Sequence, residues 1–225
     1  MNVLFDHLEK NTSNVITFYF KPNQTIKYLA GQYVELSLPG EKNATVDGNR
    51  WYTLSSSPSE DLVAITTRFD KTLSKFKQSL INLKTGDQVI ISEPIGDFVL
   101  PKDITIPLMF ISGGIGITPV RSIIKWLIDQ RESRPITLIY FARHPSDLVY
   151  NDLFSAYEMT YKPVITSESK IDILKVLLPL KVANPNALYY VSGPQIMVEK
   201  IAGIVAGKFG NSQVIMDYFP GYSTI

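Results

Sequence analysis

Residues 106–119 read IPLMFISGGIGITP, and this stretch decides the fold. Its apolar first half, Ile106–Ser112, predicts a buried β-strand. The glycines that follow, Gly113, Gly114 and Gly116, let the backbone turn sharply and approach a ligand closely. Thr118 is suited to an N-cap, and Pro119 to the first position of the helix that comes next. The free N–H groups of that helix would face a phosphate at the carboxyl edge of the sheet.

The spacing of this turn, GGxGxTP, differs from the GxGxxG of common dinucleotide folds. A tight strand-to-helix turn that binds no ligand is therefore the alternative interpretation. A second turn favours a ligand, because Ser192-Gly193-Pro194 ends a later apolar strand and precedes a helix that contains Met197. It would turn the chain over the same crevice, although a simple strand-to-helix stop has the same pattern.

Short apolar runs and amphipathic segments alternate through the rest of the second half. Strands are predicted at Ile106–Ser112, Ile136–Ala142, Pro163–Thr166, Leu188–Ser192 and Val214–Tyr218. Apolar residues at helical spacing lie between them, at Val120–Ile128 and at Met197–Val205. This alternation predicts a parallel sheet with helices on both faces.

The first half has the shorter rhythm of an antiparallel barrel. Strands are predicted at Asn14–Phe20, Gln32–Pro39, Arg50–Ser57, Leu62–Phe69 and Gln88–Ser92. Apolar residues from Leu73 to Leu83 recur at helical spacing, so one short helix is expected to plug or cap the barrel. The rhythm changes near Pro101–Pro107, and we therefore predict two domains, residues 1–101 and 102–225.

Composition excludes several classes of function. The chain has 225 residues, 45% of them apolar, and a net charge of +1, which gives no support for a nucleic-acid partner. It has no cysteine and two histidines, so disulfides, cysteine-ligated clusters and a histidine-rich metal site are excluded. No signal peptide is evident, and no apolar run approaches about 18 residues. We therefore expect a cytoplasmic protein without a membrane span.

The segment Arg50–Pro58, which reads RWYTLSSSP, has side chains that suit a flavin nucleotide. Strand alternation places Arg50, Tyr52 and Leu54 on one face and Trp51, Thr53 and Ser55 on the other. An arginine can pair with a phosphate, a tyrosine can stack on a flat ring, and a threonine can hydrogen-bond a ring nitrogen. From these properties alone, an ordinary strand with an exposed arginine is the better interpretation.

Four motifs in order resemble those of the ferredoxin–NADP reductase superfamily. Arg50-x-Tyr52-Thr53-x-Ser55-Ser56 resembles its R-x-Y-S/T-x-x-S flavin motif, and residues 113–119 resemble its nicotinamide-binding glycine motif. Ser192-Gly193-Pro194 resembles its C-G-P motif, and Gly86-Asp87 with Pro94-x-Gly96-x-Phe98 is similar to its closing barrel strand. The resemblance implies a six-stranded antiparallel flavin barrel followed by a five-stranded parallel nicotinamide domain.

The resemblance also implies a flavin- and NAD(P)H-dependent oxidoreductase in a form without an iron–sulfur domain. It implies flavin contacts from Arg50, Tyr52, Thr53, Leu54, Ser55, Arg68, Thr72, Leu73 and Ser74. It implies dinucleotide contacts from Gly113, Gly114, Gly116, Thr118, Pro119, Arg143, Gly193 and Pro194. Phe219 or Tyr222 would cover the flavin face that the nicotinamide must reach. The catalytic candidates around the contact of the two rings are Tyr52, Thr53, Thr118 and Ser192.

Two positions depart from the family pattern, since Ser192 replaces the common cysteine and Asp217 the common glutamate. They favour a second hypothesis, a non-catalytic flavin-binding electron-transfer or redox-sensing regulatory subunit. Arg143 and Lys170 would favour NADPH, and Glu168 would favour NADH. The alternative interpretation of Arg143 is a surface residue that forms an ion pair with Asp147. We expect FAD, with FMN as the alternative. The expected partner is ferredoxin, flavodoxin, a membrane redox component or a small-molecule acceptor.

Overall fold

The computed structural model describes residues 1–38, 49–70, 72–167, 171–209 and 213–219. Within these ranges it describes all side chains except those of Asn49, Ala183 and Phe219. The described strands form one antiparallel sheet from the first half of the chain and one parallel sheet from the second half. The two-part fold class predicted from the sequence is therefore confirmed. Within the described ranges, no helix has the length and apolar character needed to cross a membrane.

The antiparallel sheet has six strands in the order β4-β3-β6-β1-β2-β5. They are β1 (Asn2–Lys10), β2 (Val15–Pro22), β3 (Tyr33–Ser37), β4 (Asn49–Thr53), β5 (Val63–Arg68) and β6 (Gln88–Ile91). A single bridge between Leu54 and Ile65 joins the two outer strands. The sheet therefore curls into a barrel, as the turn spacing predicted.

Inward-facing apolar side chains fill this barrel, including Phe18, Val34 and Leu54, each fully buried. Helix α1 (Lys75–Ile81) adds Phe76 and Leu80 to the same core. The predicted plug helix is thus present. It is shorter than the apolar spacing suggested because Ser74 caps it, accepting a hydrogen bond from Lys77 N at 3.3 Å.

The parallel sheet has five strands in the order β11-β10-β7-β8-β9. They are β7 (Leu108–Gly113), β8 (Ile136–Ala142), β9 (Thr160–Ile165), β10 (Leu188–Pro194) and β11 (Val214–Phe219). Its helices are α2 (Thr118–Gln130), α3 (Asn151–Ser155), α4 (Ile173–Ala183) and α5 (Gln195–Lys208). Alternate residues of β7 enter different cores: Phe110 packs with α2, whereas Ile111 packs with α5. The sheet is covered on both faces, as predicted.

The core on the α2 side also joins the two sheets. It includes Val15, Ala30 and Phe98 from the first half of the chain. The Phe98 ring centroid lies 5.0 Å from that of Tyr190 in the centre of the parallel sheet. Because this contact is buried, the barrel and the parallel sheet share one apolar interface.

Some elements differ from the sequence prediction. Strand β1 was not predicted, because its outward positions are polar and hide the alternation of Val3 and Phe5, which are buried. Strand β4 ends at Thr53 rather than Ser57, because the backbone N–H groups of Ser55 and Ser56 both donate hydrogen bonds to Ala64 O. Strand β9 begins at Thr160, three residues before the predicted start. Helices α3 and α4 were not predicted either.

Candidate functional site at the junction of the two sheets

The glycine turn leads from β7 into one 3₁₀ turn, Gly114–Ile117, and then directly into α2. The predicted N-cap at Thr118 is wrong, because this residue is already helical and its hydroxyl donates to Ile115 O at 3.1 Å. The 3₁₀ turn has helical geometry and makes a separate cap unnecessary. The first N–H groups of the helical segment are consequently those of the glycine turn itself. Pro119 lies in the first turn of α2, but as its second residue rather than at the predicted first position.

The two predicted turns touch each other. A side chain at Gly116 would place its Cβ 2.5 Å from the carbonyl carbon of Ser192. Gly193 has φ +147°, and a Cβ there would lie 3.0 Å from Gly113 O. Only glycine fits such a close approach of two backbones. The structure thus brings the glycine turn and the Ser192-Gly193-Pro194 turn together at the carboxyl edge of the sheet.

The Ser192 side chain connects these two turns through hydrogen bonds. Its hydroxyl donates to Gly116 O at 2.6 Å and lies 3.1 Å from Ser112 Oγ. Ser192 is fully buried, and Thr118 is 2% exposed. Neither hydroxyl is open to solvent in this conformation, so the structure gives both residues a part in shaping the turns.

The barrel motif follows the predicted alternation along β4. Tyr52 stacks on Phe76 of helix α1 with ring centroids 6.1 Å apart, and the Arg50 guanidinium lies 5.9 Å from the same ring. On the other face, Trp51 is half exposed, whereas Thr53 is buried. Leu54 packs in the barrel core. Arg50 therefore lies near the start of α1. The residues just before this helix, Thr72, Leu73 and Ser74, are those predicted to contact the flavin nucleotide. Lys71, which precedes them, lies outside the described residues.

Thr53 meets Asp217 where the barrel faces the parallel sheet. Burial raises the pKa of Asp217 to about 6, and the facing Thr53 hydroxyl partly opposes this shift. The two side chains do not complete a well-formed hydrogen bond, since Thr53 Oγ1 and Asp217 Oδ2 are both buried without a partner among the residues that the structure describes. Asp217 also pairs with Ser192 across β10 and β11. From the sequence, Asp217 was predicted only as a departure from the glutamate of the family pattern. No local sequence pattern shows that it faces Thr53 of the barrel.

Arg68 reaches from the end of β5 to the glycine turn. One of its terminal nitrogens lies 3.7 Å from the position that a Cβ on Gly114 would occupy. Its Nε is buried without a hydrogen-bond partner. The family resemblance implied a flavin contact for this residue. The structure places it beside the nicotinamide motif of the other sheet.

Arg143 directly follows β8 and is exposed. Asp147 accepts a hydrogen bond from His144 N at 3.2 Å, and no ion pair joins it to Arg143 among the described residues. The surface ion pair considered for Arg143 is therefore absent from the described part of the chain. Phe219 is the last residue of β11, and its side chain lies outside the described ones, as do Glu168, Lys170 and Tyr222.

Comparison with known proteins gives the family of residues 110–202 and the fold of the chain. Residues 110–202 match the family model of the oxidoreductase NAD-binding domain. The ferredoxin NADP+ reductase of Neisseria gonorrhoeae, solved with bound FAD and NADP, has the same fold, with a TM-score of 0.77 over 97% of this chain and 98% of that chain at 18% identity. The chain therefore has the fold of the ferredoxin–NADP reductase superfamily. The resemblance drawn from the four motifs is thus confirmed.

The curated relatives that this chain matches are longer proteins. Flavohemoprotein A of Dictyostelium discoideum is 29% identical over 213 residues, which cover 85% of this chain and 53% of that protein. The toluate 1,2-dioxygenase electron transfer component of Pseudomonas putida is 29% identical over 195 residues, covering 81% of this chain and 56% of that protein. The chain spans about half the length of these relatives.

Proposed function

We propose that the chain is an NAD(P)H-dependent flavin oxidoreductase that passes electrons to a separate acceptor such as ferredoxin or flavodoxin. The observation that carries the proposal is the meeting of Thr53 with Asp217 beside the glycine turn. Both side chains hold a buried polar atom without a partner, which is rare in folded proteins. A bound ring with hydrogen-bonding edges would supply the partner that each atom lacks.

The surrounding residues fit a flavin nucleotide on the barrel side. Arg50 lies near the start of helix α1, so its guanidinium and the Thr72–Ser74 segment would hold phosphate groups. The unpaired Arg68 Nε supplies a further donor between the two motifs. We assign flavin binding to residues 1–101, with FAD preferred because the reductase of Neisseria gonorrhoeae was solved with FAD.

The parallel sheet fits a nicotinamide dinucleotide. Its glycine turn presents backbone N–H groups at the carboxyl edge, where this class of sheet binds nucleotides. Gly116 and Gly193 keep that edge free of side chains. We assign dinucleotide binding to residues 102–225. Arg143, exposed at the same edge, would meet the adenosine ribose or its 2′-phosphate.

When bound, the flavin would supply hydride acceptance and the release of electrons singly or in pairs. The protein contributes orientation and proton control. Thr53 would donate a hydrogen bond to a ring nitrogen, while Tyr52 and Phe76 form an aromatic wall beside it. Asp217 has a pKa of about 6, so its carboxyl group can hold or release a proton near neutral pH, next to Thr53.

The proposal is tested by loading the purified protein with FAD and titrating it anaerobically with NADPH and, separately, with NADH. We expect loss of the flavin absorbance near about 450 nm, and the nucleotide that acts faster identifies the preferred reductant. A yellow protein that neither nucleotide reduces would contradict the proposal. It would instead support the second hypothesis, a flavin-binding electron-transfer or regulatory subunit. Oxidation of the reduced protein by ferredoxin or flavodoxin then tests the acceptor.

Gly116→Ala tests where the nicotinamide binds. The new Cβ would lie 2.5 Å from the Ser192 backbone, so the two turns must separate. We expect bound FAD to be retained and flavin reduction by either nucleotide to slow by about tenfold or more. Gly203→Ala is the matched control, because nothing lies within 4 Å of a Cβ at Gly203. Equal reduction rates in both variants would place the nicotinamide elsewhere.

A further inference from the structure

A partly buried polar contact joins helix α2 to the end of the flavin motif and to the residues that follow it. Arg121 Nη1 donates to Ser55 O at 2.9 Å, and Nη2 donates to Glu60 Oε1 at 2.9 Å. Arg121 Nη1 also contacts Glu60 Oε2, which completes a paired contact. The Arg121 side chain is 14% exposed and that of Glu60 is 23% exposed. Water therefore screens this ion pair less than a surface pair.

A second contact reaches the barrel from Tyr150, the residue that precedes helix α3. The Tyr150 hydroxyl lies 2.7 Å from Thr66 Oγ1 and 3.2 Å from Thr17 Oγ1. Tyr150 has φ +65°, a left-handed conformation that costs a bulky residue free energy and requires compensation by its surroundings. The Arg121 guanidinium lies 5.8 Å from the Tyr150 ring. The two contacts thus form one cluster.

This cluster adjoins both cofactor motifs along the chain. Ser55, whose carbonyl Arg121 holds, is two residues beyond Thr53. Arg121 itself is three residues beyond Thr118 in the same helix. The Ser55 hydroxyl also lies 2.9 Å from Thr66 Oγ1, which links it to Tyr150. A change in the cluster must therefore move one motif relative to the other.

We propose that Arg121 and Tyr150 are positioning residues of a latch, formed by Arg121, Glu60, Tyr150 and Thr66, that fixes the separation of the flavin and nicotinamide motifs. This inference rests on the proposed function. Hydride transfer requires near contact of the two rings, and a misplacement of about 1 Å can slow such a step by about a hundredfold. Binding of each cofactor depends on its own motif. The latch therefore acts on the transfer step more than on either affinity.

Two conservative variants test the latch. Arg121→Lys keeps the charge and loses the paired donation to Glu60, while Tyr150→Phe keeps the ring and loses the hydroxyl. Lys200→Gln is the control, since Lys200 is an exposed residue of helix α5, which packs on the opposite face of the parallel sheet from α2. In the FAD-loaded protein we expect both latch variants to be reduced about tenfold or more slowly at saturating nucleotide, with the nucleotide Kd changed by less than about twofold. The control should match the wild type.

A second readout needs no cofactor. Amide hydrogen exchange in residues 55–60 of the flavin-free protein should be faster in both latch variants than in the control. Wild-type reduction rates in both variants would overturn the latch, as would flavin affinity falling in parallel with the rate. If neither nucleotide reduces the wild type, the proposed function fails instead. In that case amide hydrogen exchange alone tests the latch. Equal exchange rates in the wild type, the two latch variants and the control would overturn it.

Discussion

Burial raises the pKa of Asp217 to about 6, against an ordinary value of 3.8, and the Thr53 hydroxyl opposes this only in part. A carboxyl group with a raised folded-state pKa favours the folded state in its protonated form. Its contribution to stability is complete below the unfolded pKa and is lost as the pH rises through the folded pKa. Asp217 therefore destabilises the flavin-free protein at neutral and alkaline pH.

Asp217→Asn should reverse this loss. We expect the variant to raise the melting temperature of the flavin-free protein by several degrees at about pH 8 and to change it little at about pH 4. Thermal unfolding followed by circular dichroism at both values measures the difference. Asp61→Asn, on an exposed turn, is the control and should show neither effect. A melting temperature for Asp217→Asn that is equal to the wild type at about pH 8 would contradict the raised pKa.

Site residues could be predicted where they belong to a local sequence pattern, and they were missed where their hydrogen-bond partners are far away in the sequence. The glycines and the Arg50–Ser55 segment carry local patterns, and the structure places them at one junction. Arg121 and Tyr150 carry none, because their hydrogen-bond partners lie 66 and 84 residues away. Thr118 was wrongly predicted as an N-cap because the local sequence does not show that a 3₁₀ turn precedes it and makes it already helical.

At the scale of elements, helix α1 supports the barrel from inside. Leu80 is fully buried in the barrel core, whereas its neighbour Ile81 is 36% exposed. Leu80→Ala should lower the free energy of unfolding by about 2–5 kcal/mol, because it leaves a cavity. Ile81→Ala is the matched control and should cost about 1 kcal/mol or less. Urea unfolding measures both variants, and similar losses would show that α1 does not plug the barrel.

Strands were predicted where apolar runs are continuous and were missed where tertiary contacts decide them. The central strands β7 and β8 are buried at every position, and their sequences form nearly continuous apolar runs. Strand β1 is exposed on one side, and its Asp6-His7 and Glu9-Lys10 pairs read as a polar segment. Helix α4 contains Pro179 in its interior, which argues against a helix when the sequence is read alone.

At the scale of the whole molecule, the barrel and the parallel sheet share a core. The Tyr190 hydroxyl donates to Val99 O at 2.6 Å, and the Tyr190 ring packs on Phe98. We therefore predict that the flavin-free protein unfolds in one cooperative transition. Circular dichroism and tryptophan fluorescence should give the same midpoint in urea, since Trp51 lies in the barrel and Trp126 in helix α2. Two separate midpoints would show that the two sheets unfold independently.

We propose that flavin and nicotinamide meet at Thr53. Anaerobic rapid mixing of the FAD-loaded protein with the preferred reduced nucleotide tests this meeting point. Thr53→Val keeps the shape of the side chain and removes the hydroxyl, which is buried without a partner in the flavin-free site. We predict rapid bleaching of the wild type. The variant should retain FAD and bleach about tenfold or more slowly, because a positioned donor near the reacting atom is lost. Equal bleaching rates for the variant and the wild type would contradict the claim.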